Sequence, residues 1–267
     1  MKEQGHEMKL PKLDDLFTNQ AQRDYEKAEK VEEIDISKIS DFPNHPFKVN
    51  DDDKMEEMVK SIKQYGVILP VIVRPKDDGT YEMISGHRRK RACELAGITE
   101  IKAIVRDMTD EEAIIQMVDS NKQREKILPS EKAFAYKMKL DAIKHQGKAS
   151  VQVAEKLLSV EKVADDAGES KDQVRRYIRL TYLIPELLSM VDENKIAFNP
   201  AVEISYLEQA EQRTLLDAME QNDCTPSHAQ AIRLKKLSQE GVLQDQTIYD
   251  ILAEQKPNQQ EQYKFKR

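Results

Sequence analysis

The sequence has no tryptophan, only two cysteines and no long run of apolar residues. Cys93 and Cys224 stand far apart, and no cysteine or histidine cluster has zinc spacing, so we expect reduced core thiols and no zinc site. No stretch of eighteen apolar residues occurs, which excludes a membrane-spanning helix. Because residues 1–10 lack the apolar core of a signal peptide, we expect a cytoplasmic protein.

An excess of positive charge is also absent. The formal net charge is −7 at pH 7, and the isoelectric point is about 5.5. A protein that coats nucleic acid by overall charge alone is therefore excluded, although a local basic surface is not. Hydrophobic residues make up 39% and charged residues 34% of the chain, which suits a buried core beneath a heavily charged surface.

The pattern of apolar residues divides the chain into four segments. Residues 1–30 are polar and predict a mobile N-terminal tail, and residues 241–267 predict a weakly ordered C-terminal tail. Residues 31–108 alternate strand and helix signals, which predicts a small α/β domain. Residues 109–240 carry helical signals throughout. The predicted fold class is therefore α+β, with a small α/β domain followed by an all-α domain.

A helix-turn-helix is predicted at residues 160–182. Gly168 can take the positive φ that the turn needs, and Ser170 caps a second helix that runs to about Tyr182. Such a helix meets base edges in the major groove, where arginine or lysine binds guanine and glutamine binds adenine. An ordinary helical hairpin with a solvated basic face has the same pattern. The residues predicted to bind DNA are Ser170, Lys171, Gln173, Arg175, Arg176 and Arg179. The side chains predicted to face inward are Val163, Ala167, Val174 and Ile178, with the small Ala164 at the helix crossing.

A second basic helix start follows Ser85. Residues 84–92 run from the end of a predicted strand into a predicted helix, and backbone amides beside Gly86 at a helix start suit a phosphate. Arg88, Arg89 and Arg91 add charge and hydrogen-bond donors. The same residues also suit DNA phosphates or a solvated helix, and no Walker loop sequence occurs in the chain.

A polar joint at residues 120–124 connects two predicted helices. Its Asn121 and Arg124 could reach a triphosphate held after Ser85, but by themselves they are more typical of a capped turn. The next helix is predicted from Pro129, with an inward face of Phe134, Met138 and Ile143.

Together these motifs resemble the ParB/RepB family of partition proteins, from about residue 31 to residue 237. Four motifs occur in the family's order. The first consists of Asn44, His45, Pro46 and Phe47, followed by the helix ending at Gly66 and the strand at Pro70. The second is residues 86–92, where the family reads G-E-R-R-x-R-A, and the third is residues 121–124 with Pro129 and Glu131, where the family reads E-N-x-Q-R and then P-x-E. The fourth is the predicted helix-turn-helix.

The resemblance implies a sulfiredoxin-like N-terminal fold that binds CTP with Mg²⁺, hydrolyses it slowly and closes a homodimeric clamp on DNA. It further implies a helical domain that recognises a palindromic, centromere-like site, a nucleoid-associated location and a ParA-type ATPase as partner. The implied nucleotide-binding residues are Gly66, Ser85, Gly86, His87, Arg88, Arg89, Asn121, Gln123 and Arg124, and the implied metal ligand is Asn121.

Several positions depart from the family pattern. His87 stands where the family usually has Glu, and Leu69 stands where Gln is common. Ser120 replaces a Glu that helps to hold the metal, so one oxygen anion for Mg²⁺ is missing. Gly86 occupies the place of the catalytic cysteine of sulfiredoxin, which argues against reductase chemistry.

Two other functions fit parts of the sequence. A ParB-like repressor or nucleoid-associated protein without a nucleotide switch needs only the helix-turn-helix. A small-molecule kinase on the N-terminal fold needs a carboxylate base near the phosphate loop, for which Glu82 and Glu94 are candidates. The kinase leaves the helical half of the chain without a role.

Overall fold

The computed structural model describes residues 31–122, 124, 127–146 and 152–254, without the side chains of residues 152–158. The predicted N-terminal tail and Gln123 therefore lie outside the described residues. No helix within the described part of the chain is long and apolar enough to cross a membrane.

The chain divides into two compact units. The first comprises Met1–Phe42 and Asn50–Asp107, and the second comprises Pro43–Val49 and Met108–Arg267. The sequence did not predict that Pro43–Val49 joins the helical unit. A bond within that unit explains it, because the backbone amide of Lys48 donates to Oε1 of Glu131 at 2.7 Å.

The first unit is built on a five-stranded mixed sheet. Its strands, in sheet order, are β1 (Val31–Asp35), β5 (Glu100–Val105), β3 (Val71–Pro75), β4 (Tyr81–Ser85) and β2 (Ile39–Ser40). β1 pairs with β5 and β3 pairs with β4 in antiparallel fashion, whereas the pairs β3–β5 and β2–β4 are parallel. Its helices are α1 (Asp53–Tyr65) and α2 (His87–Ala96), with a 3-10 turn at Ile36–Lys38.

Local sequence explains most of these elements. In β3, Val71 and Val73 are fully buried and Ile72 between them is half-buried, as the two-residue period of a strand requires. Asp52 caps α1 by accepting from the amide of Met55 at 2.9 Å. The two-residue strand β2 and the 3-10 turn were not predicted, because elements this short carry no periodic signal.

The regular elements among the described residues of the second unit are all helices. Its helices are α3 (Asp110–Ser120), α4 (Pro129–Gln146), α5 (Gln152–Ala167), α6 (Lys171–Arg179), α7 (Pro185–Asp192), α8 (Phe198–Ile204), α9 (Gln209–Asn222), α10 (His228–Gln239) and α11 (Asp245–Ala253), with a 3-10 turn at Leu180–Tyr182. A large apolar cluster joins α7 to α11 around Leu187, Leu215 and Leu234. A smaller cluster joins α4, α5 and α6 around Val163 and Val174.

The inward face predicted for α4 is confirmed only at Ile143, which packs partly buried against the smaller cluster, and it is wrong at Phe134. Phe134 is 40% exposed, whereas Lys139 is 1% exposed. The helix buries the small residues Ala133, Ala135 and Ala142 instead, because neighbours pack against it on more than one side. A single apolar stripe does not describe a helix in that position.

The C-terminal residues also differ from the prediction. The segment from residue 241, predicted to be weakly ordered, contains α11, whose Ile248, Ile251 and Leu252 are buried in the large cluster. Spacings of three and four residues place these side chains on one helical face. Gln230 fixes the helix further by donating to the carbonyl of Ile251 at 2.6 Å. Residues 255–267 lie outside the described residues.

Gln212, which is 1% exposed, joins three connections of the helical unit. Its Oε1 accepts from the amide of Ile184 at 2.9 Å, and its Nε2 donates to the carbonyls of Tyr182 at 3.1 Å and Leu207 at 3.0 Å. Buried backbone groups at the start of α7 and before α9 therefore depend on this one side chain.

We expect Gln212→Met to lower the free energy of unfolding by about 2–4 kcal/mol, because it leaves three buried backbone groups without partners. Denaturant unfolding followed by circular dichroism measures the change. Gln209→Met, at the exposed start of the same helix, is the control. Equal effects of the two substitutions would show that these bonds contribute little.

Candidate phosphate-binding loop and nucleic-acid interface

The loop after Ser85 brings the backbone of Gly86 against β3. Gly86 has a φ of 117°, and a Cβ placed on it would lie 2.4 Å from Cγ1 of Val71, so only glycine fits. No side chain caps α2, which begins at the next residue. Because the first amides of a helix have no acceptor within it, this helix start suits an anion.

Exposed cations flank this helix start. Arg88 donates to Oδ1 of Asp52 at 3.0 Å, and Arg91 donates to both carboxylate oxygens of Asp51, at 2.7 and 3.2 Å. The bond from Arg88 lowers the pKa of Asp52, and the bond from Arg91 lowers that of Asp51. Exposed pairs of this kind contribute little to stability, so a phosphate can take the place of either carboxylate.

Two residues predicted to bind phosphate have other positions. Nη1 of Arg89 donates to the carbonyls of Leu69 at 2.6 Å and Pro70 at 2.8 Å, and burial lowers the pKa of its guanidinium. Arg89 therefore braces the connection between α1 and β3. His87 is 8% exposed, and its predicted nucleotide contact stays a prediction. Gly66, which was also predicted to bind the nucleotide, ends α1 with a φ of 70°. A Cβ built on Gly66 would have no atom within 4 Å.

The candidate bases for kinase chemistry are both paired. Glu82 is 5% exposed and accepts from Nε of Arg74 at 2.6 Å on the adjacent strand. Glu94 lies 3.4 Å from Arg91. Both candidate bases therefore already have a cationic partner, and neither contact favours the kinase hypothesis.

The segment that contains Asn121 belongs to the second unit. The Asn121 side chain donates to the carbonyl of Met117 at 2.8 Å and so closes the last turn of α3. The guanidinium of Arg124 lies over the ring of Phe47, 5.3 Å from its centroid. This arrangement agrees with a capped interhelical turn, and the predicted nucleotide contacts of both residues stay predictions.

The residues around Asn121 do not fit a protein-held Mg²⁺. Ser120 donates to a backbone carbonyl, and Asp119 accepts from Lys122 at 2.7 Å and Lys139 at 2.6 Å. Burial raises the pKa of Asp119, but the two lysines outweigh it, and the pKa lies below its usual range. Among the described residues, no group of three potential ligand side chains could hold a metal ion. Since Mg²⁺ favours carboxylates, we assign no residue to it.

At the residues predicted to form a helix-turn-helix, a turn at Gly168 joins α5 to α6. Gly168 has a φ of 67°, and Oγ of Ser170 accepts from the amide of Gln173 at 3.1 Å. Val163 and Val174 are buried as predicted. The first helix begins at Gln152, earlier than expected, and the second ends at Arg179 before the 3-10 turn.

The start of α6 exposes two cations. Side chains of Lys171 and Arg175 are 45% and 48% exposed, and their partners Glu161 and Asp172 are also at the surface. Gln173 is half-buried. These side chains are therefore accessible, and each cation has a carboxylate that a DNA phosphate or base can replace.

Arg176 contacts residues that lie outside α5 and α6. It donates to Oδ1 of Asn199 and lies over the ring of Phe198, 5.1 Å from its centroid. The sequence does not predict this contact, because the partners are distant along the chain.

Arg179 has structural contacts at the end of α6, and its predicted role in DNA binding stays a prediction. Its Nη2 donates to the carbonyl of Ser205 at 2.6 Å, and its guanidinium stacks between the rings of Tyr182 and Tyr206, 4.4 and 3.9 Å from their centroids. These contacts tie the end of α6 to the end of α8, and they leave few donors for a ligand.

The turn between α5 and α6 is supported by α4. Nζ of Lys132 lies 2.7 Å from Oε1 of Glu169 and 5.0 Å from the ring centroid of Tyr177. Tyr136 packs edge-on against Tyr177, and burial raises the pKa of its hydroxyl. The sequence did not predict these supports.

Comparison with known proteins gives one consistent family. Residues 20–122 match the model of the ParB N-terminal domain. The chain is 30% identical over 203 residues to the chromosome-partitioning protein Spo0J of Thermus thermophilus, with 76% of this chain and 70% of that protein covered. It is also 30% identical over 207 residues to a probable chromosome 1-partitioning protein ParB of Deinococcus radiodurans, with 78% and 67% covered.

A solved structure also resembles the chain. It is the C-terminally truncated chromosome-partitioning protein ParB from Caulobacter crescentus, complexed to the centromeric parS site. It has a TM-score of 0.44 and 21% sequence identity, with 83% of this chain and 98% of that chain covered.

We expect Gly86→Ala to destabilise the first unit by about 2–4 kcal/mol, because the new methyl adds overpacking against Val71 to backbone strain. Gly79→Ala is a matched control, since Gly79 also has a positive φ but no atom within 4 Å of its Cβ position. The control should lose only about 1 kcal/mol. Hydrogen exchange of the β3 and β4 amides measures both changes, and equal losses would contradict the close approach.

Proposed function

Because the chain belongs to the ParB family of chromosome-partitioning proteins, we propose that it binds double-stranded DNA at specific sites through α5 and α6 and switches with a nucleotide held at Gly86. The observation that carries the DNA-binding proposal is the start of α6. There Lys171 and Arg175 are exposed on a capped helix in a chain whose net charge is −7.

The cap at Ser170 determines how α6 meets DNA. Because Ser170 already accepts from the amide of Gln173, recognition falls to the side chains of the first two turns. Lys171 and Arg175 can reach guanine edges or phosphates, and Gln173 can reach adenine. Arg176 stays a predicted DNA contact, and Asn199 and Phe198 hold its guanidinium.

The nucleotide proposal depends on the helix start at Gly86. Its uncapped amides and the partly exposed Arg88 supply donors for phosphate oxygens, and Ser85 precedes them at the end of β4. The resemblance implies that the nucleotide is CTP. A comparison of CTP with nucleotides that carry other bases therefore tests the proposal. Asn121 and Arg124 stay predicted contacts.

A palindromic site requires two copies of the recognition helix related by a two-fold axis. We therefore propose that the protein acts as a homodimer on a nucleoid-associated DNA site. We also propose a ParA-type ATPase as its partner, because the resemblance implies one. Sedimentation with and without a specific duplex measures the assembly.

We expect Arg175→Ala and Arg176→Ala each to weaken binding to a specific duplex by about 1–3 kcal/mol, because each removes a base or phosphate contact. The duplex is first selected from random sequences by the wild-type protein, and fluorescence anisotropy then measures affinity. Arg233→Ala is the control, since Arg233 is an exposed cation on α10 that pairs with Glu254. Unchanged affinity and sequence preference in both α6 variants would refute this recognition helix.

We expect CTP to bind more tightly than ATP, GTP or UTP in calorimetric titrations, and Arg88→Ala to weaken CTP binding by about 1–3 kcal/mol through loss of a charge-assisted bond. Lys102→Ala is the control, because Lys102 is an exposed cation on β5 of the same unit. The absence of heat with every nucleotide, with and without DNA, would favour a repressor that has no nucleotide switch.

A further inference from the structure

Arg176 differs from the other two cations near the start of α6 in the partner that it binds. Lys171 and Arg175 each pair with a carboxylate at the surface. Within the part of the chain that the structure describes, no carboxylate pairs with Arg176, and its guanidinium donates to Oδ1 of Asn199 in the first turn of α8. Because an amide oxygen carries no formal charge, this bond holds the guanidinium without neutralising it.

Phe198 holds the same guanidinium from a second direction. Its ring centroid lies 5.1 Å from the guanidinium of Arg176 and 4.8 Å from the ring centroid of Tyr177, the next residue on α6. A cation over an aromatic face is attracted to it, so the ring restricts the arginine further. Ala201 and Val202, which follow on α8, are buried in the large cluster, so the core anchors this support.

The held side chain keeps most of its capacity to bind. Of the five N–H donors of arginine, the bond to Asn199 uses one, on Nη2. Arg176 also lies about 200° around α6 from the buried Val174, on the outer side of the helix. The free donors can form the fork that O6 and N7 of guanine accept in the major groove. Because the side chain is already ordered, it loses less conformational entropy on binding.

We propose that Asn199 is a positioning residue that orients Arg176 to read one guanine of the DNA site. This inference rests on the proposed function, because it needs α6 to lie in the major groove. The sequence preference at that base pair then depends on a residue of α8, which lies outside the two helices joined at Gly168.

Two other roles of Asn199 give different results. Asn199 is exposed, so its Nδ2 could itself donate to a DNA phosphate. Such a contact would add affinity whether or not Arg176 is present, and it would not change the preference for any base. Alternatively, the bond only joins α6 to α8, in which case its loss lowers the melting temperature and leaves the preference for bases unchanged.

The experiment compares wild type, Asn199→Ala, Arg176→Ala and the double variant by fluorescence anisotropy. The probes are the duplex selected by the wild-type protein and duplexes in which each G·C pair is replaced in turn. We expect Asn199→Ala to weaken binding of the selected duplex about two- to tenfold, the effect of having to order one long side chain. It should relax the preference at the same base pair as Arg176→Ala. The double variant should bind within about twofold of Arg176→Ala, because nothing is left to position.

Two further variants serve as controls. Asn222→Ala removes an exposed asparagine that donates to the carbonyl of Ala218 within α9, and it should keep both affinity and preference. Asn199→Asp keeps an acceptor for Arg176, so it should keep the preference at that base pair, although its negative charge weakens binding to every duplex. The melting temperature of Asn199→Ala should equal that of wild type.

The outcomes separate the positioning role from the proposed function. A wild-type protein that selects no duplex from random sequences refutes the proposed function. If wild type binds a selected duplex but Asn199→Ala binds like wild type, the positioning role is wrong. It is also wrong if Arg176→Ala leaves every base preference unchanged, or if Asn199→Ala weakens binding equally in the presence and absence of Arg176. A lower melting temperature with unchanged base preference would assign Asn199 to the fold alone.

Discussion

The pairing of a cation with a carboxylate that phosphate can replace is the interaction on which both candidate sites depend. Arg88 faces Asp52 at the start of α2, and Arg175 faces Asp172 at the start of α6. Each pair is partly exposed, so water competes with it and little energy is lost when the carboxylate is exchanged. The carboxylates thus hold Arg88 and Arg175 in defined positions, and both side chains can still bind a phosphate.

Two groups of cations differ by the kind of partner that each one binds. Arg89 and Arg179 donate to backbone carbonyls and hold connections between elements, and Lys139 joins three helices. Loss of these partners would leave desolvated polar groups unpaired, which costs free energy of folding. The cations paired with surface carboxylates are therefore the candidates for ligand binding, whereas Arg89, Arg179 and Lys139 hold connections within the fold.

Local chemistry in the sequence predicted the helix starts but not the long-range partners. Gly86 and Ser170 mark the two candidate sites, because a tight backbone approach and a side-chain cap need particular residue types. The roles of Arg89 and Arg179 were missed, since their acceptors lie 20 and 26 residues away in the chain. Lys139 was missed for a related reason. An inward lysine on α4 has no periodic signal, and only two carboxylates from other helices make its burial tolerable.

The same exchangeable pairs favour specific over non-specific DNA binding. Non-specific affinity depends on phosphate neutralisation and counterion release, and a cation already paired with a carboxylate contributes less to both. A base edge offers directed acceptors that a bidentate guanidinium fits well, so the specific complex recovers more than the lost ion pair. A chain of net charge −7 therefore loses general attraction for DNA but keeps its directed contacts. The acidic residues beside α6 are consistent with this preference for specific sites. They compete for the cations wherever the DNA sequence offers no base acceptor to take their place.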